Sequence, residues 1–139
     1  MNTSRRLKML GMFLFLLGLL TGFAIMSLGN PRMGLSAHME GVMNGTFRGV
    51  VGFIWNELKI SDSLRKALLA LLLYGTFANW AFTLLAAILG TSKMTPLAGA
   101  GHAGTAFQEN LVTVGLVSVG LTMVFSLVVI VYGLRGKAE

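Results

Sequence analysis

MLGMFLFLLGLLTGFAIMSL, Met9 to Leu28, is broken only by Thr21, Ser27 and three glycines. Twenty residues of helix rise about 30 Å, the thickness of a bilayer's hydrocarbon core. Arg5, Arg6 and Lys8 precede the run. A cleaved leader would have a shorter apolar core, about 7–15 residues, and a small-x-small site after it. Ser4-Arg5-Arg6 faintly resembles a twin-arginine signal, yet no sizeable soluble cargo follows. The run reads as a retained first transmembrane helix.

Three more apolar runs follow, Ala37 to Trp55, Ala67 to Leu89 and Leu111 to Leu134, joined by connections at 29–36, 56–66 and 90–110. The 139 residues are 55% hydrophobic and 12% charged, about half the charge of an ordinary soluble domain. A soluble enzyme, a nucleic-acid-binding domain and a disordered tail are excluded together. No run alternates with period two, so helices rather than a β-barrel must satisfy the backbone in lipid. Cysteine is absent, which removes disulfides, thiolate metal sites and covalent haem attachment. The formal charge of +6 reflects basic residues flanking the runs. Arg5, Arg6, Lys8, Lys59, Arg65, Lys66, Arg135 and Lys137 fall on one side, against Arg32 and Lys93 on the other. By the positive-inside rule both termini are cytoplasmic. The expected fold is an all-α integral membrane protein, one domain over 1–139, forming a four-transmembrane-helix bundle.

The second run carries the ionisable groups. Such groups inside a membrane are costly and usually face a bundle interior or a cavity. Glu40, Asn44 and Arg48 are spaced four apart and form one stripe; Gly41, Gly45 and Gly49 repeat the spacing beside it. Small-xxx-small spacing lets another helix, or a flat ligand, approach the backbone. His38 projects near the glycine face at one end of the span. Each residue also has a plainer reading: His38 as a boundary histidine bonded to water or a carbonyl, Glu40 and Arg48 as a charge pair, the glycines as packing, and Asn44 as an interhelical hydrogen bond. Eight residues, about 12 Å of rise, set Glu40 and Arg48 too far apart for easy contact. In the third run Thr76, Asn79 and Thr83 share a side, and Asn79 lies at a depth similar to Asn44. Either the two amides face one cavity or they join helices.

Gly99-Ala100-Gly101-His102-Ala103-Gly104 fits G-x-G-x-x-G literally, but no strand precedes it and no βαβ unit surrounds it. It reads as a flexible loop, a candidate lid, with His102 solvated or a second ligand.

Ala37-His38-Met39-Glu40-Gly41-Val42-Met43-Asn44-Gly45, followed by Tyr74-Gly75-Thr76-Phe77-Ala78-Asn79-Trp80, resembles the hydroxylaminobenzene mutases. These are small four-span bacterial membrane proteins that convert hydroxylaminobenzene to 2-aminophenol. The pattern is also similar to that of the styrene oxide isomerases, which are homotrimers with b-type haem at subunit contacts. The resemblance implies a bacterial inner-membrane isomerase, with His38 as the ligand of ferric haem b. It makes Asn44 and Asn79 the substrate-facing amides. Thr83 stands where the epoxide isomerases have a tyrosine, which favours the mutase. Gly41 and Gly45 would flank the haem, Arg48 and Arg32 would pair with its propionates, and Glu40 would lie near its edge. On that resemblance the haem would act as a Lewis acid, hydrogen bonds from the two amides would polarise the N–O bond of the small aromatic substrate, and oxygen would return to the ortho carbon.

Four rivals remain, the blandest a structural membrane protein without chemistry, which leaves Glu40, Asn44 and Arg48 on one face unexplained. An epoxide isomerase needs the same pocket. A haem- or quinone-binding anchor subunit favours two histidines at matching depth, whereas only His38 adjoins a span. A small multidrug-type exporter relies on a glutamate in its first helix, and the first span here holds no charge.

Overall fold

A computed structural model describes residues 2–135. Four long helices dominate: α1 (Thr3–Ala24), α2 (Pro31–Ile54), α3 (Asp62–Leu89) and α5 (Ala106–Gly133), with a single turn α4 (Pro96–Gly99) in the last connection. Each long helix starts a turn or more before its apolar run because a polar cap sets the start. The side chains of Asn2, Asn30, Ser61 and Thr105 accept backbone N–H bonds from the first turns of α1, α2, α3 and α5. α1 ends at Ala24 and continues as a short 3₁₀ turn to Ser27. The apolar run therefore marks the middle of each helix, and the cap marks where the helix begins.

Among the described residues, three segments are long and apolar enough to cross a membrane: Thr3–Ser27, Asp62–Leu89 and Ala106–Gly133. α2 spans 24 residues but carries Arg32, His38, Glu40, Asn44 and Arg48, which set it apart from the other three. Large apolar side chains cover the outer faces, with Phe23 90% and Val114 69% exposed. That surface suits a lipid solvent rather than water.

The helices pack in chain order, α1 on α2, α2 on α3 and α3 on α5. The α1–α2 contact is the closest. Cβ atoms on Gly18 would stand 2.6 Å from Val42 N, and on Gly45 2.5 Å from Phe15 N. Gly11 faces Gly45 and Gly49, and Gly41 faces Gly18. The two backbones touch along this stripe, as small residues allow where lipid provides no hydrophobic drive for association. Two apolar cores flank the middle. One, with Leu7, Val51, Trp55, Leu68 and Ile130, lies at the end where α1 and α3 start. The other, with Met33, Ala86, Ala87 and Val112, lies at the opposite end.

The ends are fastened by polar side chains. At the first, Arg65 donates to the carbonyls of Trp55 (2.7 Å) and Leu58 (2.5 Å), closing the end of α2. Lys59 N donates to Gly133 O at 2.8 Å. Arg5, Arg6, Lys8, Lys59, Arg65, Lys66 and Arg135 gather at this end by topology; Lys137 lies outside the described residues. At the other end buried Asn30 donates from Nδ2 to Ala98 O, and its backbone N–H donates to Ala87 O. Glu109 accepts backbone N–H bonds from Ser92, Lys93 and Gly104. α3 stops at Gly90, whose φ of +70° is the left-handed conformation that glycine adopts without cost.

Filling the α1–α2 seam is expected to disrupt the fold. Gly41→Leu should lose about 1–3 kcal/mol or more through overpacking, seen as a lower thermal midpoint in detergent. Gly120, where an added methyl group would meet nothing within 4 Å, should tolerate alanine and gain up to about 1 kcal/mol of helix propensity.

Candidate active site

His38 lies two turns into α2 and its ring is turned toward α1. Nδ1 is 2.8 Å from the carbonyl oxygen of Gly18. A carbonyl only accepts, so Nδ1 carries the hydrogen, and in the neutral form of the ring the lone pair sits on Nε2. Metal-binding histidines characteristically donate their other ring N–H to a carbonyl or carboxylate in this way. Gly22 makes the room: a Cβ there would stand 2.9 Å from Nδ1. The half-buried ring lines an apolar groove of about 420 Å³ with Leu19, Gly22, Phe23, Ile25 and Leu35.

Glu40, Asn44 and Asn79 form a second feature. Glu40 Oε2 accepts from Asn44 Nδ2 at 2.8 Å and from Asn79 Nδ2 at 2.6 Å. Asn44 Nδ2 also donates to the backbone carbonyl of Glu40 at 2.9 Å. The two amides expected to share a depth are thus joined through one carboxylate between α2 and α3. Both hydrogens of the Asn44 amide are engaged, which leaves Oδ1 as its polar atom without a protein donor among the described residues. Thr83, buried and one turn from Asn79, donates to Asn79 O at 2.8 Å.

These two features lie on different faces of α2. Glu40 is about 160° round the helix from His38 at 3.6 residues per turn, and the partners agree, α1 for the imidazole and α3 for the carboxylate. Within one chain the imidazole and the amides do not meet.

Arg48 is fully buried. It donates to the carbonyls of Leu10 (3.3 Å) and Leu73 (3.4 Å) and to the Thr76 hydroxyl, and lies 4.1 Å from the centre of the Phe77 ring. It binds three helices together and cannot reach a propionate on the outside, which corrects that expectation. Gly41 and Gly45 meet the backbone of α1, so of the two occupants that the stripe allowed, a helix or a flat ligand, a helix fills it. Arg32 is exposed at the His38 end of α2, where a carboxylate can reach it. The 90–110 connection is tied down by Asn30 and Glu109, and His102 is exposed on it.

Trp80, Thr21, Gly18 and Gly22 do not stand out in the sequence. Trp80 Nε1 donates to Thr21 Oγ1 at 3.0 Å, linking α3 to α1 beside Gly41. The i, i+7, i+11 spacing of Gly11, Gly18 and Gly22 is the signal that marks the α1 partner face.

The sequence profile of the family described as styrene oxide isomerase matches residues 3–135. Hydroxylaminobenzene mutase HabB of Ectopseudomonas oleovorans is 47% identical over 133 residues, 95% of this chain and 81% of that protein. Hydroxylaminobenzene mutase HabA of the same organism is 38% identical over 125 residues, 89% of this chain and 93% of that protein. No solved structure matches the chain significantly. With a profile that runs almost from end to end and relatives that share a third to a half of its residues, the chain belongs to the styrene oxide isomerase family and is an isomerase.

Proposed function

We propose that the chain is a four-span mutase of the bacterial inner membrane, with both termini cytoplasmic, that moves the hydroxyl of hydroxylaminobenzene from nitrogen to the ortho carbon, giving 2-aminophenol. The observation that carries this is the 47% identity to a protein named hydroxylaminobenzene mutase across 95% of the chain. Basic residues concentrated where α1 and α3 start support the orientation. The polar residues of α2 are compatible with a fourth crossing because α1 and α3 cover Arg48, Asn44 and the glycines.

Haem b, in the ferric state, is the proposed cofactor, and the residues fit it. His38 supplies one neutral imidazole nitrogen with its tautomer fixed by Gly18. Among the described residues no cluster of three or more His, Cys, Asp or Glu is placed to hold a bare ion, whereas a porphyrin would bring nitrogen donors of its own and need only His38 from the chain. The groove beside His38 is apolar, lined from α1 and α2, and open on its outer side. Exposed Phe23 and Leu35 border it, and a neighbouring copy in a homotrimer would supply the other wall. Such a neighbour also resolves the separation of the two features: His38 of one copy and the amides of the next would line a single pocket. Exposed Arg32 is the residue left to meet a propionate.

When bound, the haem supplies a Lewis acid toward the N–OH oxygen. Asn44 and Asn79 orient the substrate, and their acceptor oxygens hold its N–H and O–H hydrogens. As the N–O bond breaks and the ortho C–O bond forms, the ortho hydrogen leaves as a proton and nitrogen gains one, so the reaction is a balanced isomerisation. Apolar walls keep out water, which would compete for the ring. Isomerisation of an aryl epoxide is the second reading, favoured by the family's description.

Purified protein incubated with hydroxylaminobenzene should give 2-aminophenol by chromatography, faster than it consumes styrene oxide. Unchanged hydroxylaminobenzene would refute the assignment, and preferential loss of styrene oxide would support the second reading. Asn44→Ala and Asn79→Ala should each lower kcat/KM about 10- to 100-fold, the scale of one or two lost hydrogen bonds, in protein that elutes from a sizing column as the wild type does.

A further inference from the structure

We infer that Glu40 selects the substrate: by engaging the N–H groups of Asn44 and Asn79 it turns the pocket into an array of acceptors that takes aryl compounds bearing N–H or O–H groups and discriminates against acceptor-only ligands such as epoxides. This deepens the mutase reading and rests on it for the identity of the reactant.

The orientation of the Asn44 amide follows from its neighbours. Its nitrogen faces two oxygens, Glu40 Oε2 at 2.8 Å and the Glu40 carbonyl at 2.9 Å. A flipped amide would place an acceptor against a backbone carbonyl that has no hydrogen to give. Asn79 Nδ2 faces the same carboxylate oxygen at 2.6 Å. Neither Oδ1, nor Glu40 Oε1, has a protein donor among the described residues. Nor do these oxygens belong to the fully enclosed unpartnered side-chain atoms, which are Arg48 Nε, Thr91 Oγ1 and Thr113 Oγ1, so each keeps some exposed surface on half-buried Glu40 and Asn79 and on Asn44, which is 6% exposed. Three acceptors stand against one remaining N–H of Asn79.

A hydroxylamine on a benzene ring brings two donors, N–H and O–H, to meet those oxygens. An epoxide brings none, and in an apolar surrounding it leaves the acceptors unpaired. Sites built to hydrogen-bond a substrate group reject analogues that lack it far better than apolar pockets reject a missing methylene. Glu40 thus acts on the substrate partly through the two amides, as a positioning residue, and partly through its own free oxygen.

The test uses phenol and anisole, which share the ring and oxygen and differ in the O–H. Binding to detergent-purified full-length protein is measured by titration calorimetry against detergent blanks. Wild-type protein should bind phenol at least about tenfold more tightly than anisole, about one hydrogen bond's discrimination. Glu40→Gln, whose amide oxygen can still accept from both asparagines, should keep most of that preference. Glu40→Ala, which frees the amides to rotate, should bring the ratio near one. Equal binding by the wild type, or an unchanged ratio in Glu40→Ala, overturns the inference. If Glu40→Ala does not fold, the wild-type ratio and its retention in Glu40→Gln decide. Because no turnover is needed, a protein that ignores hydroxylaminobenzene but prefers phenol would sink the mutase reading and leave the role of Glu40 standing.

Discussion

The approach of α1 to α2 along Gly11, Gly18, Gly41 and Gly45 is the constraint on which the other features depend. Lipid gives apolar helices no reason to associate, so backbone contact and hydrogen bonding must hold them. Closing this seam brings the Gly18 carbonyl to 2.8 Å from His38 Nδ1 and the Leu10 carbonyl to 3.3 Å from Arg48. A side chain at either Gly18 or Gly41 would part the helices and take both acceptors away. The imidazole's tautomer and the burial of an arginine are therefore consequences of two bare Cα atoms.

α2 distributes its polar groups by face. The glycine and Arg48 sides are sealed by α1 and α3, with hydrogen bonds to neutral oxygens and an aromatic face. Among the described residues the charge of Arg48 is met by two carbonyls, a hydroxyl and a ring rather than by a carboxylate. Glu40, two turns away, is held by amides. The two ionisable groups on one helix thus have separate partners, which leaves the carboxyl group of Glu40 to organise Asn44 and Asn79 rather than to pair with Arg48.

The helical architecture was legible because twenty-residue apolar runs have few interpretations, and the charge stripe on α2 was legible because four-residue spacing survives folding. Helix starts fall a turn or more before the runs since caps lie in polar sequence outside them. The depth match of Asn44 and Asn79 could be read from the rise per residue, but not that Glu40 joins them, because spacing does not tell which neighbour fills a stripe. The same gap explains the glycines: Gly41 and Gly45 suit a flat ligand or a helix equally well until Gly18 and Gly11 are seen opposite. The resemblance assigned Arg48 to a propionate, whereas the packing of Leu10, Leu73 and Thr76 around it encloses it. That His38 and the amides occupy separate faces follows from the helical repeat, yet their shared helix invited reading them as one site.

The central proposal, that Nε2 of His38 holds a haem, is tested most directly by the absorption spectrum of protein purified from membranes, compared with His38→Ala. The account predicts a Soret band with the signature of a single histidine ligand in the wild type and its loss in the variant, while the variant remains folded. Wild-type protein that turns over substrate fully without a chromophore, or a Soret band unchanged by the substitution, would contradict it.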